Sequence, residues 1–131
     1  MEEIDAGIEE LHQSWRAAIR TGDIDAAVGL LTDDYVLWAS GAPAIRGRES
    51  VRGILRAAIE RFRIDPSFEA EECLLSGDLA VARGWDVQAI EPREGGETLT
   101  QRQRVFLVLR REQDGRWRYA RGMSQPGPQP A

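Results

Sequence analysis

Apolar residues at Ile4, Ile8, Leu11, Trp15, Ala18 and Ile19 recur at the three-to-four spacing of one helical stripe, which predicts a long amphipathic helix over residues 4–19. Thr21-Gly22-Asp23 should end it and start another. Gly22 tolerates the left-handed conformation past a helix end, and the Asp23 carboxylate can accept from the free N–H groups of the next helix, expected over residues 26–31. The run Tyr35-Val36-Leu37-Trp38-Ala39 is aromatic and β-branched and reads as a strand. Gly41-Ala42-Pro43 breaks it. Gly47-Arg48-Glu49-Ser50 then leads into a third helix that places Val51, Ile54, Leu55, Ala58 and Phe62 on one side.

Beyond Pro66 the periodicity turns to strands, expected over residues 67–75, 79–90, 98–111 and 117–124 and separated by glycine-containing turns. Three helices followed by long meandering strands argue for an α+β fold with the helices gathered on one face of the sheet. A single domain over residues 1–124 is expected, and the Pro/Gly-rich residues 125–131 are expected to be a disordered tail.

Composition narrows the chemistry. The 131 residues carry 22 acidic and 17 basic side chains, a formal charge of -5, with no long run of either sign. Nucleic-acid binding is disfavoured, because it needs a basic stripe to neutralise phosphates. Every basic residue is arginine, and neither Lys nor Asn occurs. A lysine Schiff base or lysine general base is therefore excluded, and the bias itself suggests a GC-rich bacterial genome. Cys73 is the only cysteine, so no intrachain disulfide can form and a reducing, cytoplasmic setting is the natural expectation. No signal-like segment and no apolar run of membrane-spanning length is visible.

Common site motifs are also missing. Asp33-Asp34 invites a metal reading, yet adjacent carboxylates on a turn point apart and have no further ligands nearby, so capping is expected and no metal. Ser40 and Ser124 lack a nucleophile-elbow setting. Cys73 lies beside Glu72, which opposes thiolate formation.

Four segments, residues 17–27, 30–36, 45–51 and 114–121, together with the order of elements, resemble the nuclear transport factor 2-like superfamily. The nearest branch is the bacterial group of SnoaL-like, polyketide-cyclase-like and ketosteroid-isomerase-like proteins, some encoded beside natural-product pathways. The resemblance spans about residues 4–123 and implies a cystatin-like cone, with three N-terminal helices packed on a curved, mixed, mostly antiparallel sheet that encloses a pocket. It also implies that the convex face often serves for dimer formation. Along residues 98–111, Val105, Leu107 and Leu109 alternate with Phe106 and Val108, so both faces carry apolar groups and a homodimer through the convex face is expected.

Aligned on the ketosteroid isomerase pattern, a known case of tuned carboxylates, the catalytic tyrosine falls on Trp15, the base on Ala39 and the neutral acid on Leu107. Near the end of the last strand, where many cyclase-like relatives carry Asp and then Trp, this chain has Gly122 and Ser124. The family's acid/base groups are thus replaced by apolar ones. With period-two alternation the same alignment turns Val81, Arg83, Trp85 and Val87 inward, opposite Gln103 and Val105.

Arg83 either orients a carboxylate or enolate or forms a structural ion pair, and Trp15, Trp38 and Trp85 either line the pocket or fill a core. Leu37, Ala39, Leu107 and Gly122 complete the expected lining. His12, one turn before Trp15, and Tyr35 are candidate polar groups at the cavity. Two functions follow: a cofactor-free cyclase, isomerase or hydratase in which Arg83, His12 or Tyr35 polarises a carbonyl of a small apolar or aromatic molecule, or a non-catalytic ligand-binding or dimerising module.

Overall fold

The computed structural model describes residues 5–128. Helix α1 (Ala6–Thr21) begins at Asp5, whose carboxylate accepts from the N–H groups of Gly7 and Ile8 at 2.8 and 3.3 Å. It ends at Gly22 in the left-handed region, φ 75°. The Asp23 carboxylate caps α2 (Ile24–Val28) by accepting from the Ala26 N–H at 3.0 Å. Strand β1 (Leu31–Trp38) follows, then a two-residue strand β2 (Ile45–Arg46) and helix α3 (Arg48–Arg61). The rest is sheet: β3 (Phe62–Ser76), β4 (Leu79–Pro92), β5 (Leu99–Arg111) and β6 (Trp117–Pro126).

The six strands form one sheet in the order β2-β1-β6-β5-β4-β3, with β1 and β6 parallel and all other neighbours antiparallel. The fold is α+β, three helices on a mixed, mostly antiparallel sheet, as the periodicity and the resemblance implied. Several boundaries differ. Strand β1 starts four residues before Tyr35, so Asp33 and Asp34 sit within a strand and act there as ion-pair partners rather than turn caps. Asp33 meets Arg48 at 2.8 Å, and Asp34 meets Arg110 at 3.1 Å and accepts from Thr32 at 2.8 Å. Strand β3 begins directly at Phe62, without waiting for Pro66. Gln125 and Pro126 extend β6 instead of starting a disordered tail, and residues 129–131 of that expected tail lie outside the described residues.

Two devices bend the sheet. The β3–β4 register shifts between Ala70 and Glu72, and opposite that bulge a Cβ on Gly84 would lie 2.1 Å from the Glu69 carbonyl oxygen. Only glycine allows the two backbones to pass this closely, and the extra residue sharpens the local twist. The core lies between α1 and the inner face of the sheet, where Leu109 and Leu31 are almost fully buried with Trp117 and Tyr119. No helix among the described residues is long and apolar enough to cross a membrane.

Candidate functional site

The inner sheet face is hollowed by its own sequence. On β6 Gly122 carries no side chain into the space beneath the helices, and the inward positions Ala80, Ala82 and Gly84 of β4 are small as well. The result is a cavity of about 280 Å³ beneath α1 and α3. Its apolar wall comes from Trp15 on α1, Val51, Ile54 and Leu55 on α3, Leu37 on β1 and Phe68 on β3. Val105 and Leu107 of β5 form its floor.

The polar end lies where β4 and β5 continue past this floor. Asp86 pairs across the ladder with Gln103 and, on the other side, with Phe68. Two residues on, the Gln88 side-chain amide donates to Asp86 Oδ2 at 2.9 Å. Burial raises the Asp86 carboxyl above its ordinary value, and the Gln88 hydrogen bond opposes this only in part. Above it, His12 Nδ1 lies 2.7 Å from the Tyr119 hydroxyl, and the imidazole packs on the Phe68 ring at 4.6 Å. Burial lowers the His12 pKa, with Glu9 pulling weakly the other way, so the ring is neutral near pH 7. In the neutral tautomer whose Nδ1 accepts from the Tyr119 hydroxyl, Nε2 carries the proton, and Nε2 has no hydrogen-bond partner among the described residues.

The Tyr35 phenol is pushed up to about 12 by burial, and Tyr119 is raised further by burial and by the nearby Tyr35 and Asp86. Both remain protonated donors. The Tyr35 hydroxyl has no partner among the described residues and opens on the cavity beside Gly122.

The structure brings together His12, Trp15, Tyr35, Leu37, Gln103, Val105, Leu107 and Gly122. It does not bring in Arg83, Trp85, Trp38 or Ala39. Arg83 lies opposite Phe106 on the outer face and pairs with Glu71 and Glu72 at 3.2 and 3.0 Å. Trp85 is on the same outer face, with the Arg102 guanidinium 4.3 Å over its ring and the Gly127 backbone packed against it. Trp38 is 41% exposed, and Ala39 lies past the end of β1.

The inward set on β4 is therefore the even-numbered one. A one-residue error in parity turns every side chain of a strand to the opposite face. Asp86 and Gln88 were missed for that reason, although the small residues Ala80, Ala82 and Gly84 share the parity of Asp86 and could have marked the concave side; Tyr119, on β6, was not singled out at all.

The SnoaL-like domain family matches residues 12–120, most of the chain, from within α1 to within β6. The protein belongs to the SnoaL-like family. A conserved protein from Planctomyces limnophilus is 25% identical with a TM-score of 0.84, covering 92% of this chain and 95% of that one. A ketosteroid isomerase-like protein from Erwinia carotovora is 26% identical with a TM-score of 0.78, covering 95% and 96%. A nuclear transport factor 2-like superfamily protein from Salmonella enterica shares the fold at 15% identity, with a TM-score of 0.80 and coverage of 95% and 91%. No curated protein matches the chain. Within this SnoaL-like frame, Asp86, Gln88 and Gln103 form the polar end of the cavity.

Proposed function

We propose that this SnoaL-like protein binds a small, largely apolar ring compound in its cavity and moves a proton on it without a cofactor, as in an isomerisation, cyclisation or dehydration. The observation that carries the reading is Asp86: a carboxyl group at the inner end of an apolar cavity, raised in pKa by burial and oriented by the Gln88 amide. A base of raised pKa takes a proton from carbon more readily than an exposed aspartate and can return it as an acid. The ionised Asp86 would remove a proton adjacent to a ring carbonyl. The electron pair moves to the carbonyl oxygen, where a neutral donor such as His12 Nε2–H meets it, and the proton returns to carbon on collapse of the enolate. His12 here keeps the carbonyl-polarising role that the sequence suggested for it, Arg83 has no part in it, and Asp86 supplies a base that the sequence reading did not name.

The test is deuterium exchange at the acidic carbon of tetralone, followed by NMR in heavy water. Wild-type protein should accelerate exchange, and Asp86→Asn should lower the rate by about 100-fold or more while still binding the ketone. Bound ketone with no acceleration over buffer would remove the catalytic half of the proposal and leave a ligand-binding module.

A second reading has its own support. The outer face carries Trp38, Met123 and Phe106, exposed by 41, 49 and 48%, which are successive partners across β1, β6 and β5. A contiguous exposed apolar row favours a second copy of the chain on this face.

A further inference from the structure

Among the described residues none that lines the cavity is an arginine, although the chain has 17 basic residues, and the one carboxyl group in the lining is Asp86. The remaining polar groups are uncharged: two phenols, a neutral imidazole, two side-chain amides and a serine hydroxyl. An anionic ligand would leave water without gaining a cation, and would meet a second carboxylate. An uncharged oxygen function meets donors in the phenols, the imidazole and the side-chain amides and leaves no buried charge unpaired.

One donor owes its position to a missing side chain. A Cβ on Gly122 would stand 2.7 Å from the Tyr35 hydroxyl oxygen and 3.4 Å from Leu37 Cδ1. The hydroxyl therefore occupies space that any other residue at position 122 would claim. Strand pairing fixes the arrangement, because Leu37 is the partner of Gly122 on β6, and Tyr35 precedes Leu37 by two residues on the same cavity-lining side of β1. Since the hydroxyl has no partner among the described residues, a ligand oxygen that reaches it satisfies a half-desolvated donor.

We propose that Tyr35, admitted by Gly122, is the specificity-determining donor that selects an uncharged carbonyl or hydroxyl group on the ligand ring, and that the cavity rejects carboxylates of the same shape. This rests on the cavity being the ligand site.

Binding of naphthol, naphthoate and unsubstituted naphthalene, measured by calorimetry at about pH 8 where ordinary carboxylates are ionised, separates the possibilities. Naphthol should bind at least about 10-fold more tightly than naphthoate. Tyr35→Phe should weaken naphthol by about 5-fold or more and leave naphthalene unchanged, a pattern that loss of packing would not give. Gly122→Ala should reproduce it, with Tyr35→Phe deciding if the alanine variant fails to fold. Asp86→Asn should narrow the gap by strengthening naphthoate. Equal or tighter binding of naphthoate would overturn the charge selection while leaving the cavity reading intact. Equal loss of naphthol and naphthalene in Tyr35→Phe, or no loss of either, would overturn the role of Tyr35. Failure of all three rings to bind would overturn both this inference and the cavity reading.

Discussion

Asp86 and Gln103 face each other across the β4–β5 ladder on the concave side of the sheet, so the buried carboxyl has an amide neighbour and, among the described residues that line the cavity, no cation. That pairing fixes the sign of its effect on stability. The folded-state pKa of Asp86 lies above its ordinary value of 3.8, so the folded protein binds this proton more tightly than the unfolded chain does. The stability it contributes is present below pH 3.8 and is lost as pH rises through the folded value. Asp86→Asn should therefore be more stable than wild type at neutral pH, with an advantage that shrinks as pH falls toward 3.8. Urea unfolding of both proteins across that range measures it. An advantage that is constant with pH would show that the carboxyl is not desolvated.

The histidine gives the opposite slope. His12 is lowered from 6.5 by burial, so below that pH the unfolded chain takes up a proton that the folded protein resists. Stability should fall as pH drops from above 6.5 through the folded value. In His12→Gln this part of the profile should flatten. The Tyr119 hydroxyl bond can be removed separately by Tyr119→Phe, at an expected loss of about 1 kcal/mol. A His12→Gln profile that keeps the wild-type slope would assign the pH dependence to other groups.

The helices, their caps and the long strands were legible because each rests on local chemistry: the apolar stripe of α1, the left-handed Gly22 and the Asp23 cap. The inward set of β5 was legible too: Gln103, Val105 and Leu107, read as pocket lining, line the cavity, although Phe106 and Val108 make the other face apolar as well. Strand β4 carried no such signal. Its odd positions Val81, Trp85 and Val87 are the more hydrophobic, yet they face outward, because a cavity needs small and polar residues where a filled core would need large ones. The bulge opposite Gly84 and the two-residue β2 depend on pairing between distant segments, which periodicity does not encode.

Gly84 tests the bulge directly. In Gly84→Ala the new methyl would overlap the Glu69 carbonyl oxygen at 2.1 Å, a backbone atom that cannot swing aside. The variant should lose about 2 kcal/mol or more in urea unfolding, more than a glycine-to-alanine change in an unstrained strand, which is usually stabilising. Wild-type stability would mean that the two backbones can separate at no cost.

Arg83 should prove dispensable for ligand binding. Its guanidinium and both glutamate partners are more than 40% exposed. Exposed ion pairs of this kind contribute about 0–1 kcal/mol. Arg83→Ala should leave the ring affinity of the cavity unchanged and shift the urea midpoint only slightly. A loss of ring binding in this variant would place the ligand on the convex face.

The proposed dimer places its demand on Phe106. This residue lies between Met123 and Arg83 in one row across the sheet, and Trp38 extends the row through Met123. Arg83 with Glu71 and Glu72, and Arg102 with Glu69, put both signs of charge beside the apolar row, so a copy rotated by a two-fold axis can match charge to charge. A stable interface needs about 800 Å² per partner, so the partner copy would cover the charged flanks together with the apolar row. Phe106→Arg would remove the central apolar side chain and set an arginine opposite Arg83. Sedimentation velocity should show a dimer for the wild type and a monomer for this variant, with the fold kept, because Phe106 is 48% exposed in the single chain. A wild-type monomer at about 100 μM, well above the dissociation constants of standard-size interfaces, would leave the exposed row without a partner copy and sink the dimer.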